Sequence, residues 1–238
     1  MPLKDNVATE RFALAGAFER LSRARGKRIF HPFGVGFAAT LEAVRDGGAS
    51  VRAGEPSLLF LREPVAAKVR LSRALGLPEW LPDPCGLALR VPDAYGPGRH
   101  QDLLLVTSAL VPVGRHLPLP SRHFLDRPYS SLLPYRLRGE LLLLGARGAG
   151  PTGQAPKLAD LRRRQTGELA FELLVASLAG EWRPAARLTL GERLPPKETE
   201  RLGFDPTNTG GGLELAGLLN RLRGPTYRGS QEGRASSG

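Results

Sequence analysis

Short stretches with a β-strand pattern recur along the middle of this chain, and they constrain its fold more than any other feature. The stretches "AKVRLSRA", "GLALRV" and "DLLLVTSA" are rich in apolar residues, and each is bounded by Pro, Gly or Asp. "RIFHPFGVGFAATLEAV" and "SLLFL" come before them, and "RGELLLLGAR" comes after them. Strands of this length and spacing predict an antiparallel β-barrel or β-sandwich.

The segments around these strands complete an α+β pattern. Residues 7–25 place Leu14, Ala17, Phe18 and Leu21 on one face and predict an amphipathic helix. "GELAFELLVASLAG" and "AARLTLGERL" favour a closing hairpin of long strands, although the first stretch also suits a helix by propensity. The stretch "GARGAGPTGQAPK" is predicted to be a loop or lid, and "FDPTNTGGG" a turn before a C-terminal helix. We expect one domain over residues 1–238.

The charge of the chain bears on its partners. The net charge is +11, from 34 Lys and Arg against 23 Asp and Glu, which raises nucleic acid, anionic lipid or an anionic ligand as partners. The basic residues are scattered, and aromatic residues make up only 6% of the chain, so no basic block is interleaved with aromatics. We therefore expect no nucleic acid partner.

The cellular location of the protein is predicted from its apolar segments and its cysteine content. No apolar run approaches the length that spans a bilayer, so we expect no transmembrane segment. The N-terminal stretch "MPLKDNVATERF" has no apolar signal core. The one cysteine, Cys85, forms no internal disulfide and suits a reducing compartment. These features predict a cytoplasmic protein.

A polar stripe with one phenol at its centre lies near the C-terminus, in "NRLRGPTYRGSQEGR". Arg223, Tyr227, Ser230 and Arg234 fall at i, i+4, i+7 and i+11, which places them along one side of a helix. A phenolate is a hard anionic ligand for ferric iron, and tyrosine is one of the side chains that hold haem iron. Arg223 would stabilise the phenolate form of Tyr227, and Arg234 would reach the propionates at the rim of the ring.

This stripe is similar to the proximal helix of haem catalases and of the smaller catalase-related proteins, and three other segments share the resemblance in the same order. "RIFHPFGVGFAATLE" resembles the distal strand of the family. "VRLSRALGLPEWLPDPCGLALRV" resembles its "VRFS" signature, and "RPYSSLLPYRLRGELLLLGAR" resembles a stretch of its compact members. The resemblance covers residues 25–234, and it implies an antiparallel β-barrel with flanking helices that binds haem b.

The resemblance also implies a role for each residue of the site. His31 would be the distal acid and base, oriented by the hydroxyl of Ser72, with Gly34 and Gly36 leaving room for the ring. Arg28, Arg70 and Arg234 would bind the propionates and support the phenolate, together with Arg223. Tyr227 would be the ligand of the iron.

Two departures from the family pattern bear on the reaction. Where catalases carry a distal asparagine, counting from Asp102 gives Thr107, a shorter hydroxyl side chain. The chain also lacks the long arms of full catalases, so we expect an open haem edge that admits larger substrates. The resemblance then implies a peroxidase-like enzyme with weak catalase activity that uses hydrogen peroxide or organic hydroperoxides to oxidise a small organic donor.

Two alternatives stay open on the sequence alone. One is an enzyme of the allene oxide synthase type that rearranges fatty acid hydroperoxides, and the other is a haem-binding module without catalysis. For the assembly state we consider a homodimer. Nothing in the sequence identifies the native substrate.

Overall fold

The computed structural model describes residues 33–44, 63–149, 156–164 and 169–216. The predicted helix over residues 7–25, the stretch "SLLFL" and the C-terminal helix lie outside these ranges. Five predicted site residues also lie outside the described residues: Arg28, His31, Arg223, Tyr227 and Arg234.

The described residues form eleven strands and two short α-helices. The strands are β1 (Phe33–Ala43), β2 (Val65–Arg73), β3 (Asp83–Val91), β4 (Gln101–Thr107), β5 (Pro120–Ser121), β6 (Tyr129–Ser130), β7 (Tyr135–Leu137), β8 (Glu140–Gly148), β9 (Ala170–Ser177), β10 (Arg183–Arg193) and β11 (Leu213–Leu215). The helices are α1 (Leu158–Arg163) and α2 (Pro196–Arg201), and a 3-10 turn covers Gly114–His116.

Eight of these strands close into a barrel. Antiparallel pairs run in the order β8, β6, β4, β3, β2, β1, β10 and β9, and the pairing of β8 with β9 completes the circle. The structure thus confirms the α+β class and the antiparallel barrel with flanking helices, and it excludes the sandwich. A closed sheet also has no free edges, which an open sandwich of this size would leave exposed.

Side chains alternate between the barrel interior and its outer face. Val35, Phe37, Ala39 and Leu41 of β1 are buried in the core, and the residues between them are glycines or more exposed positions. The core continues through the apolar residues of the other barrel strands, so the interior is filled by side chains. The even-numbered residues of β1 and β2 consequently point away from the core, which decides the face on which a site there can lie.

The predicted closing hairpin is confirmed, since β9 pairs with β10 in antiparallel register. Helix propensity did not decide the structure of β9, because both of its faces are buried and the strand is paired on both sides. The helix α1, by contrast, was not predicted. Asp160 accepts a hydrogen bond from the N–H of Lys157, which closes the first turn of this helix after a Gly/Pro-rich stretch.

Residues 194–210 form a strap that crosses the outside of the barrel. The strap begins after β10, includes α2, and contacts β1, β2, β3 and β4 in turn. From β2 onward it follows one cross-strand row on the outer face, made of Lys68, Arg90 and Asp102. We call this the anchor row.

Candidate functional site

The outer face of β1 to β4 carries a floor of mostly small residues beside the strap. Two cross-strand rows form this floor, and their members lie on one face because directly paired residues of antiparallel strands point the same way. The row next to the anchor row is Gly36, Arg70, Ala88 and Leu104, and the following row is Gly34, Ser72, Gly86 and Val106. Ala88, Leu104 and Val106 are partly exposed, so the floor presents apolar surface beside the arginine.

Arg70 is the charged residue of this floor, and it is 6% exposed. Its guanidinium lies over Gly34, where an added Cβ would be 2.7 Å from the Arg70 Cζ and 2.8 Å from the Leu71 carbonyl oxygen. The missing side chain of Gly34 is therefore what admits the guanidinium. Ser72, directly paired with Gly34, is 3% exposed on the same face.

Gly36 has a different role from the one the sequence predicted. A Cβ at this position would lie 2.6 Å from the hydroxyl oxygen of Thr199 in α2. The space beside Gly36 is therefore filled by the strap, and the space beside Gly34 by Arg70. Both glycines admit side chains of this chain, so the open part of the floor lies over β3 and β4.

The strap forms a wall along one side of the floor. On β2, Lys68 binds Glu198 of α2 at 2.9 Å, with both side chains well exposed. On β3, Arg90 donates to the carbonyl of Gly203, and its guanidinium carbon lies 5.5 Å from the centre of the Phe204 ring. On β2 and β3 these contacts fix the strap one row away from the floor, about 7 Å along the strands, whereas on β1 the strap lies over Gly36 itself.

Asp102 makes more hydrogen bonds to the strap than any other described residue of the barrel. Its carboxylate is fully buried and accepts both arms of the Arg90 guanidinium, one at 2.7 Å. It also accepts the backbone N–H of Asp205 at 2.8 Å and the side-chain amide of Asn208 at 2.9 Å. The backbone N–H of Asp102 donates to the carbonyl of Asn208 at 2.9 Å. One buried carboxylate thus joins two strands and two positions of the strap.

The structure does not bring Thr107 to Arg70 and Ser72. Thr107 pairs with Tyr129 on the other face of the sheet, inside the end of the barrel, and is 0% exposed. Its hydroxyl accepts the N–H of Cys85 at 2.9 Å and donates to the carbonyl of Leu119 at 2.6 Å. Counting residues along the chain did not decide the face to which Thr107 points, since a one-residue difference reverses the direction of a strand side chain.

Two described tyrosines are held in the neutral form. Burial raises the pKa of Tyr95 to about 12, and its hydroxyl donates to the Gln101 side chain at 2.8 Å. Burial, together with Cys85 and Asp126, raises the pKa of Tyr129 well above its usual range. The Tyr129 hydroxyl donates to the Phe124 carbonyl at 2.7 Å. Neither phenol is prepared to act as an anionic ligand.

The described histidines take no part in the floor. His100, His116 and His123 lie in connecting segments, and each has its Nδ1 in a local hydrogen bond. Within the described ranges, no three His, Cys, Asp or Glu side chains are grouped so as to hold a metal ion. The described part of the chain also contains no helix that is long and apolar enough to cross a membrane.

A buried ion pair organises the loop after β2. Arg73 and Asp83 are 1% and 0% exposed, and Asp83 accepts the backbone N–H groups of Leu75 and Leu77. Arg73 donates to the carbonyl of Leu81 at 2.6 Å. Beside this pair, burial raises the pKa of the Cys85 thiol from 9.0 to about 12. The thiol is therefore un-ionised and packed at neutral pH.

Of the predicted site residues, the structure brings together Arg70 and Ser72. It adds the anchors of the strap, Arg90, Asp102 and Asn208, which the sequence reading missed. The turn at Asp205 did have a signal, because its carboxylate accepts the N–H and hydroxyl of Thr207 in the manner expected of "DPTN". The pairing of Arg90 with Asp102 had none, since it depends on the register of two strands.

Solved structures of catalases have a similar fold. A bacterial catalase has a TM-score of 0.59 at 16% identity, with 98% of this chain and 61% of that chain covered. A fungal catalase has a TM-score of 0.61 at 15% identity, with coverages of 98% and 63%. Catalase A from Saccharomyces cerevisiae has a TM-score of 0.60 at 12% identity, with coverages of 98% and 65%.

The chain therefore has a catalase-like fold. It spans less than two thirds of the length of these three catalases. No family model matches the chain. No curated protein sequence matches it either.

Proposed function

We propose that this protein binds haem b on the floor of β1 to β4 and uses hydroperoxides to oxidise small organic donors. The observation that carries the proposal is the floor itself: a buried arginine and serine beside partly exposed apolar side chains, on a barrel whose fold is that of catalases. A flat apolar ring with carboxylate side chains needs this combination of surfaces.

The residues of the floor fit a haem group. Ala88, Leu104 and Val106 offer partly exposed apolar surface on neighbouring strands, against which the ring would lie. Arg70 supplies a fixed positive charge for a propionate, and a guanidinium matches a carboxylate with two parallel hydrogen bonds. Arg28 and Arg234 would supply further positive charges at the propionates.

Tyr227 would be the ligand of the iron, with Arg223 beside it to stabilise the phenolate. The state of Tyr95 and Tyr129 supports this choice, because both phenols are hydrogen-bonded and held neutral. When bound, the haem iron supplies the redox chemistry by which a hydroperoxide is reduced.

His31 would move the proton. It comes two residues before β1, whose first residues pair with the end of β2 at Ser72 and Arg73. His31 would take the proton of the bound hydroperoxide and return it to the departing oxygen, and Ser72 would orient the ring. The O–O bond is cleaved to an alcohol and water, and the donor supplies two electrons and two protons.

Thr107 has no part in this site, and that favours donor oxidation over catalase activity. Rapid disproportionation needs a second peroxide held in a fixed position, and positioning of this kind contributes several kcal/mol. The hydroxyl of Thr107 is already used on the other face of the sheet. We expect weak oxygen evolution and faster oxidation of organic donors.

Spectroscopy and mutation test the proposal together. The purified protein is expected to take up haem and to show the charge-transfer bands of phenolate ligation. Tyr227→Phe should abolish stable loading, whereas the control Tyr95→Phe, which keeps its ring, should load normally. A wild-type protein that takes up no haem, or a Tyr227→Phe variant with an unchanged spectrum, would refute the assignment.

Activity then distinguishes the reaction classes on loaded protein. Donor oxidation that depends on hydroperoxide supports the proposal. Fatty acid hydroperoxide converted without any donor would indicate rearrangement, and a loaded protein inert to both would indicate a binding module. Oxygen evolution at the rate of a full catalase would contradict the expected weak catalase activity.

A further inference from the structure

We infer that Asp102 is a positioning residue for the haem site, acting through the strap. This inference rests on the proposed function. Asp102 does not belong to the floor, since it lies in the anchor row, and it would touch neither the haem nor a substrate. Its effect would come from fixing where the strap lies against the barrel.

The contacts of Asp102 are concentrated as a positioning role requires. Its fully buried carboxylate accepts the Arg90 guanidinium, the N–H of Asp205 and the amide of Asn208. A buried carboxylate is costly to place, and these donors are what make its burial tolerable. We call Asp102 and its partners Arg90, Asp205 and Asn208 the Asp102 node. Its hydrogen bonds depend on one another, so loss of one acceptor oxygen leaves at least one donor unsatisfied.

The node lies where the strap can affect the floor. Arg90 is two residues from Ala88 on β3, and Asp102 is two residues from Leu104 on β4. Both pairs are therefore neighbours on the same face of the sheet. Phe204, at the strap, packs its ring over the Arg90 guanidinium. A change at Asp102 would therefore move the wall of the site without changing any residue of the floor.

The chain beyond the node leads to the proposed iron ligand. After Asn208, Gly210 packs closely against the Tyr95 ring, and β11 pairs with β7. The N–H of Ala216 then donates to the carbonyl of Pro134. In the sequence, Tyr227 comes after all of these contacts, and the contacts of Asp102 are the first of them.

The test compares Asp102→Asn with Thr107→Val in the full-length protein. Asparagine keeps the size of the side chain but replaces one acceptor oxygen with a donor. Oδ2 of Asp102 accepts from Arg90, Asp205 and Asn208, and Oδ1 accepts from the Nε–H of Arg90, so whichever oxygen is replaced, at least one of these donors loses its acceptor. Thr107→Val also removes buried hydrogen bonds, but on the other face of the sheet. The measurements are haem affinity by titration, the absorption spectrum at full loading, and the thermal unfolding midpoint without haem.

We expect Asp102→Asn to bind haem about 10- to 100-fold more weakly, as for other residues that orient a metal ligand, and to shift the charge-transfer bands. Thr107→Val should lower the unfolding midpoint yet keep the wild-type spectrum and affinity. A haem-loaded Asp102→Asn protein with wild-type affinity and spectrum would overturn this inference and leave the proposed function standing. A wild-type protein that binds no haem would overturn both.

Discussion

The guanidinium of Arg70 occupies the space where the side chain of Gly34 would be. A Cβ on Gly34 would come within 2.7 Å of the Arg70 Cζ, and also within 2.8 Å of the backbone oxygen of Leu71. The second of these atoms cannot move as a flexible side chain does. The pair therefore defines where the positive charge of the floor lies.

Gly34→Ala is expected to displace the Arg70 guanidinium and to destabilise the protein by about 1–3 kcal/mol, the usual cost of overpacking. Haem affinity should fall with it. The matched control is Gly191→Ala on β10, where a Cβ would meet nothing closer than 3.5 Å. Denaturant unfolding and haem titration check both variants, and equal behaviour of the two would contradict the role of Gly34.

Thr107→Val is expected to cost about 2 kcal/mol or more, because the N–H of Cys85 and the carbonyl of Leu119 lose their buried partner. Valine has nearly the same shape, so the loss reflects hydrogen bonding. Peroxide-dependent donor oxidation per haem should not change. A large loss of turnover with unchanged stability would contradict this prediction and indicate that Thr107 acts in the active site.

His31→Ala is expected to keep haem and to lose hydroperoxide turnover by a factor on the order of a hundred or more, the usual contribution of a positioned acid and base. The control is His123→Ala, whose ring lies in a loop and contacts Asp126. Stopped-flow measurement of donor oxidation compares the two. If both variants turn over like the wild type, another group transfers the proton.

The stability of the protein is expected to fall between about pH 9 and pH 10 because of Cys85. Its pKa is raised by burial from 9.0 to about 12, so in this window the unfolded thiol ionises while the folded one stays protonated. The stability is fully present below pH 9 and is lost as the pH rises toward the folded value. Tyr95 and Tyr129 act in the same direction only above the usual phenol pKa near 10.

Cys85→Ala should flatten this part of the profile, although the smaller side chain lowers stability at every pH. Urea unfolding at pH 8, 9 and 10 measures the slope. A slope as steep in Cys85→Ala as in the wild type would show that the thiol is not responsible. The folded wild type should also resist thiol reagents at pH 8, since only the thiolate reacts.

Local patterns were enough for seven of the eight barrel strands and for the turn at Asp205, whereas β6, which is only two residues long, was not predicted. Alternation, turn residues and an Asx turn depend on neighbours in the chain, so a single sequence carries them. The helix Leu158–Arg163 escaped prediction because it is only six residues long and follows a Gly/Pro-rich stretch. Short helices of this kind are stabilised mainly by packing, which in this case buries Leu158 and Leu161.

By itself, the sequence determined which residues are candidates for the proposed haem site, and it placed Arg70 and Ser72 two residues apart on one strand. Only the tertiary structure decided the closure of the barrel, the face to which Thr107 points and the node at Asp102. Closure and register depend on pairing between distant strands, and a shift of one residue moves a side chain from the outer face to the interior. The partners of Asp102 lie on another strand and on a strap about a hundred residues later. No local pattern records such a contact.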